Sequence, residues 1–107
     1  MPRAKQFVEW INQEAEERNS PFVGMNPLVY VPIFDKTIKN LEEKGRTIDA
    51  STVLLKTGQR LFNQYNARKD QNPQKYDEQL IELNQTIAHL ERIAKFLNEN
   101  NLFLNNF

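Results

Sequence analysis

Few side chains in this sequence could do chemistry, and none stands in a familiar catalytic arrangement. His89 is the single histidine and cysteine is absent, which excludes the usual histidine-rich and cysteine-based metal sites. His89 falls outside the apolar seam of the helix predicted around it, which indicates a solvated or edge-packed ring. Ser20 and Ser51 stand near predicted helix starts, where a capping role explains a serine.

Pairs of acidic residues are the remaining candidates, since two carboxylates held in a pocket can serve acid–base or magnesium chemistry. The pairs Glu42–Glu43 and Asp77–Glu78 each lie on the polar side of a predicted helix, as solvated carboxylates do. Three scattered glycines cannot form a glycine-rich phosphate loop. We therefore expect a protein that is not an enzyme, and we predict no catalytic residue, no cofactor and no metal.

The elements that must position these side chains are helices. Glycine and proline are too scarce for the many turns of an all-β fold, and 107 residues suit a single domain, 1–107. Apolar residues recur at helical spacing in four stretches: about Pro2–Arg18, Pro27 or Pro32 to Lys44, Thr47 or Asp49 to Lys69, and Pro73–Asn100. The sequence thus predicts an all-α, elongated bundle of about four helices.

The second stretch is open to two interpretations. Leu28–Phe34 is rich in β-branched and aromatic residues, which fits a short strand. Asn26 and Pro27 are a typical N-cap and first-turn pair, which fits a helix. We favour the helix, kinked if Pro32 is interior and ended by Gly45.

The fourth stretch predicts a long amphipathic helix, capped by Asn72 and packed antiparallel on the third helix. Its apolar residues keep the three-and-four spacing of helix-on-helix packing. Gly58 lies in the apolar face of the third helix, where it costs about 1 kcal/mol in helix propensity, and close approach of a neighbouring helix would account for it. Twenty-eight helical residues span roughly 40 Å, so we expect an elongated fold, a broken helix or a homodimer.

The third helix carries an unusual distribution of charge. No acidic residue occurs between Asp49 and Asp70, whereas basic and amide side chains do: Lys56, Arg60, Asn63, Arg68 and Lys69. Such a face can follow a phosphate backbone without reading bases, so RNA or DNA binding is one hypothesis. The other interpretation, which we favour, is that Glu78, Glu82 or Glu91 neutralises this face.

The C-terminal tail, 101–107, combines asparagines with apolar residues. Leu102, Phe103 and Phe107 would form a docking motif for a protein partner if exposed, or would cover the end of the core if folded back. We favour the folded-back arrangement.

Charge and hydropathy limit the partners. Fourteen basic and fourteen acidic residues give a net charge of zero, so the whole molecule should not be drawn to nucleic acid or to anionic membranes. No apolar run approaches the roughly 20 residues of a membrane span, and no secretory signal is visible, so we expect a cytoplasmic protein. We predict an interaction protein (an adaptor, accessory subunit, inhibitor or immunity-type protein) acting through protein–protein contacts, with nucleic-acid binding as the alternative.

Overall fold

Four helices make up the computed structural model, which describes residues 2–20, 24–69 and 76–106. In chain order they are α1 (Pro2–Glu17), α2 (Pro27–Glu43), α3 (Ala50–Arg68) and α4 (Tyr76–Glu99). The predicted all-α bundle is confirmed, and α2 is a helix throughout the stretch that could have been a strand. The predicted cap Asn72 and first-turn Pro73 of the fourth helix lie outside the described residues.

Local signals explain where α2 begins and ends. The Asn26 side chain accepts a hydrogen bond from the N–H of Leu28 at 3.0 Å, and Pro27 takes the first helical position. At the other end Gly45 adopts a positive φ of 63°, and the N–H of Arg46 donates to the carbonyl of Leu41. This is a Schellman ending, in which a left-handed residue closes the last turn. The same ending recurs on α1 and α4, where asparagine takes the left-handed position: Asn19 and Asn101.

Each helix packs on its neighbour in sequence, so the contacts run α1 to α2, α2 to α3 and α3 to α4. Phe7 of α1 meets Phe34 of α2 edge to face at 5.0 Å, and both rings are fully buried. The predicted antiparallel packing of α4 on α3 is confirmed. The inner side of α4 completes a continuous apolar core with Leu90, Ile93, Phe96 and Leu97.

The length of α4 fits within the long axis of the molecule. Its 24 residues span about 36 Å, and the molecule measures 43 × 33 × 22 Å. The described length of α4 is therefore contained within the dimensions of the molecule, and the homodimer stays a prediction. No helix in the described part of the chain is both long and apolar enough to cross a membrane.

The tail folds back over the start of α3. The carbonyl of Phe103 accepts a hydrogen bond from the N–H of Ser51 at 2.8 Å, and that of Asn105 accepts one from Ala50 at 3.0 Å. The Asp49 side chain accepts the next N–H, that of Thr52, at 2.8 Å. The first N–H groups of a helix have no partner within the helix, so the tail carbonyls and the Asp49 side chain together cap α3.

Candidate functional site

The structure brings three of the five predicted nucleic-acid contacts together. Lys56, Arg60 and Asn63 follow one another at i, i+4 and i+7 on α3 and line a groove of about 430 Å³ between α2 and α3. Thr37 and Asn40 of α2 form the opposite wall. Residues at this spacing share one side of a helix, and their contact with nucleic acid stays a prediction.

Arg68 and Lys69 do not join that groove. Helical residues are rotated by about 100° each, which turns Arg68 about a third of a turn from Lys56 and places Lys69 on the opposite side. Arg68 lines a different groove, of about 320 Å³, together with Glu82 of α4. The five predicted residues therefore do not form one continuous basic face.

Arg60 is half-buried and hydrogen-bonded across the contact between α2 and α3. Its Nη2 donates to the carbonyl of Ile33 at 2.6 Å, and its Nε donates to the hydroxyl of Thr37 at 3.4 Å. Burial lowers the pKa of Arg60 from its ordinary value. Behind it the hydroxyls of Thr37 and Thr57 are hydrogen-bonded at 2.8 Å in the core. The charge of Arg60 thus helps to join α2 to α3.

Of the acids of α4 that could neutralise the basic side chains of α3, Glu82 shares a groove with Arg68. No ion pair between described side chains joins α3 to α4; the five present lie elsewhere in the part of the chain that the structure describes. Glu91 lies on the α4 edge of an apolar groove, and Lys56 is exposed beside Leu55 and Gln59 on the α3 edge.

That apolar groove, of about 470 Å³, is the site that sequence reasoning missed. It runs between α3 and α4 over a floor containing Leu54, Gly58, Ile87, Leu90 and Ala94. A Cβ on Gly58 would stand 3.6 Å from Cδ1 of Ile87, so the missing side chain leaves the floor open at this point.

Two large apolar side chains flank the groove and face solvent. Leu55 is 61% exposed and Phe62 is 52% exposed, although both belong, with Gly58, to the apolar face that helical spacing predicts for the third helix. Leu54, by contrast, is 4% exposed. The spacing alone does not separate Leu54 from Leu55, because consecutive helical residues can both be buried, as Val53 and Leu54 are.

The single histidine, His89, contacts Tyr30 of α2. Nδ1 of His89 lies 3.0 Å from the hydroxyl of Tyr30, and the two rings meet edge to face at 5.3 Å. Burial raises the pKa of Tyr30, and the charge of Arg92 opposes that shift. This contact ties α2 to α4 and matches the edge-packed interpretation. Within the described residues, no three side chains among His, Cys, Asp and Glu are grouped to hold a metal ion.

The tail residues predicted as partner contacts lie at the end of the core. Leu102 and Phe103 are half-buried against it, which is the folded-back arrangement, and Phe107 lies outside the described residues. Leu104 is exposed, so it is the apolar tail side chain that reaches solvent.

Comparison of the chain with protein-family models finds no match, and searches among curated proteins and solved structures find none either. Function is therefore inferred from geometry and chemistry alone.

Proposed function

We propose that this chain is a non-enzymatic helical interaction protein that docks an amphipathic helix in the groove between α3 and α4. The observation that carries the proposal is the exposure of Leu55 and Phe62 beside an apolar floor. Large apolar side chains grouped on a surface mark places where a partner excludes water.

A helix is the partner that suits the shape of this groove. Two neighbouring antiparallel helices form a straight channel, which accepts the apolar face of a third helix through residues at i, i+3, i+4 and i+7. Gly58 lowers the floor midway between Leu55 and Phe62, so one projecting side chain of the partner can enter there. Gln59, Asn63 and Glu91 provide a polar rim that can orient the incoming helix.

Contact with a phosphate backbone is the less favoured alternative. It would use Lys56 and Asn63, but Arg60 already donates to Ile33 and Thr37. A nucleic-acid interface normally presents a cluster of free cations. We therefore treat nucleic-acid binding as an outcome that the following experiment can reveal.

Site-specific photo-crosslinking tests the proposal. The photo-reactive amino acid p-benzoylphenylalanine would replace Phe62 in the full chain, and the matched control would carry it in place of Leu28. Leu28 is 87% exposed but does not line the groove. We expect position 62, and not position 28, to crosslink one defined protein through a helical segment, with Leu55→Glu abolishing the product.

The crosslinked partner must then rebuild the complex from purified components at a fixed stoichiometry. Equal crosslinking from positions 28 and 62 would contradict the proposal, as would crosslinks to nucleic acid alone. Loss of secondary structure in Leu55→Glu, measured by circular dichroism, would require the milder Leu55→Gln in its place.

A further inference from the structure

We infer that the helix docked in this groove belongs to a second copy of the chain, in a two-fold dimer that stacks α3 of each copy on α4 of the other. The inference rests on the proposed function and names its partner. It follows from the groove carrying both parts of a self-complementary surface, which are apolar projections and an apolar floor.

Shape is the first argument. A closed dimer uses the same patch on both copies, so that patch must contain both the element that inserts and the element that receives it. Leu55 and Phe62 project from α3, and Gly58 and Ala94 leave space on the floor beside them. The two projecting side chains are seven residues apart, which is about two helical turns. Side chains at this spacing interlock when neighbouring helices pack on each other.

Charge is the second argument, and it selects the orientation of the two copies. Leu55 and Gln59 form the α3 edge of the groove and Lys56 is exposed beside them, outside the groove lining, whereas Glu91 lies on the α4 edge. Because α3 and α4 are antiparallel and Gly58 lies level with Ile87, Lys56 and Glu91 stand at nearly the same height. A two-fold axis parallel to the helices therefore brings Lys56 close to Glu91 of the partner subunit, and the symmetry forms this pair twice.

The alternative two-fold axis, perpendicular to the helices, lacks this match. It would stack α3 on α3 and α4 on α4, so that Lys56 would face another α3, which holds no acidic residue between Ala50 and Arg68. Opposite charges across an interface favour one register over others. The charge pattern thus favours the dimer in which α3 of each copy stacks on α4 of the other.

Charge exchange between subunits tests this arrangement. Lys56→Glu would place two acids against each other at both symmetric positions, and Glu91→Lys would place two cations there. We expect each single variant to raise the dissociation constant for self-association about tenfold, from two exposed pairs turned from attraction to repulsion. Sedimentation equilibrium of the full chain measures this constant.

The decisive sample is an equimolar mixture of the two single variants. In a mixed dimer both pairs become attractive again, so the mixture should associate about tenfold more tightly than either variant alone. The double variant Lys56→Glu/Glu91→Lys should self-associate like wild type. Lys36→Glu and Glu16→Lys, exposed on α2 and α1, are the matched controls and should change nothing.

The outcomes separate this inference from the proposed function. If the wild-type chain stays monomeric and position 62 crosslinks a different protein, the docked helix does not come from a second copy. The proposed docking function is then unaffected. A dimer that persists in Leu55→Glu and Phe62→Glu forms elsewhere and overturns the second copy as the occupant of this groove, and an absence of crosslinks from position 62 would overturn the docking function as well. A dimer lost in those variants but unaffected by exchange of charge overturns the stacking of α3 on α4.

Discussion

Helix α3 has two sides that are built differently. Towards α2 its contacts are polar and directional: Thr57 bonds Thr37, and Arg60 bonds the carbonyl of Ile33. Towards α4 its contacts are apolar, and they surround the open groove beside Gly58. Hydrogen bonds of fixed geometry define how two helices align, whereas apolar contacts tolerate several partners of suitable shape.

This difference indicates which side is available for binding. In the groove between α2 and α3, Arg60 and Thr37 are already hydrogen-bonded within the protein, so a ligand that binds these two side chains would compete with those bonds. The groove between α3 and α4 holds apolar surface in contact with water, so a partner gains free energy by covering it. The following substitutions test the distinction, starting with the largest effect that we expect.

The largest difference in stability should be between substitutions of the two neighbouring leucines of α3. Leu54 is buried against the core, so Leu54→Ala should lower the free energy of unfolding by about 2–5 kcal/mol, through lost burial and a cavity. Leu55→Ala should change it by less than about 0.5 kcal/mol because its side chain is largely in water. Urea unfolding at a concentration where the chain is monomeric measures both values.

Equal losses in the two leucine variants would show that Leu55 is part of the core. That result would remove the surface on which the docking proposal depends. A large loss of self-association in Leu55→Ala, without a loss of stability, would instead sharpen the contrast between the two positions.

The next largest difference in stability should be between substitutions of Arg60 and Lys56. Arg60→Met keeps the apolar stem but removes the hydrogen bonds to Ile33 and Thr37, so we expect a loss of about 1.5–3 kcal/mol. Lys56→Met, the matched control one turn away, should change stability by less than about 0.5 kcal/mol. Similar values for the two variants, again by urea unfolding, would contradict a stabilising role of Arg60 in the contact between α2 and α3.

The sequence predicted the helices well because the signals that begin and end them are local. Asn26, Pro27 and Gly45 determine the ends of α2 through their own backbone preferences. The folded-back tail was also preferred, since Leu102 and Phe103 would otherwise expose apolar surface.

The two grooves could not be predicted in the same way. Arg60 bonds a carbonyl 27 residues earlier in the chain, and nothing in the local spacing identifies that partner. Likewise, the stripe on α3 is wider than α2 and α4 together can cover, and only their placement decides that Leu55 and Phe62 stay outside. Information about long-range packing is absent from the periodicity of one helix.

Loss of the hydrogen bond between the hydroxyls of Thr37 and Thr57 should have a smaller effect on stability. Thr37→Val leaves the hydroxyl of Thr57 without that partner, and we expect a loss of about 1–2 kcal/mol because Thr57 can still turn to a carbonyl of its own helix. The double variant Thr37→Val/Thr57→Val should lose less than the sum of the two single variants. Strict additivity in a double-mutant cycle would show that the two hydroxyls do not stabilise the α2–α3 contact together.

Alanine substitutions of Gly58 and Gly45 should change the free energy of unfolding in opposite directions. These are the smallest effects that we expect. Gly58→Ala should raise the free energy of unfolding by up to about 1 kcal/mol, because alanine favours a helix and its Cβ would make an ordinary contact with Ile87. Gly45→Ala, the control, should lower it by roughly 1 kcal/mol since φ is +63° there.

Gly58→Ala also separates folding from assembly. The added methyl group occupies the floor of the groove, so a chain that gains stability as a monomer should lose affinity for the helix that docks there. Thermal unfolding of the dilute protein and sedimentation of the concentrated protein measure the two effects independently. A loss of monomer stability would mean that α4 approaches α3 too closely for an open floor, whereas unchanged self-association would place the docked helix away from Gly58.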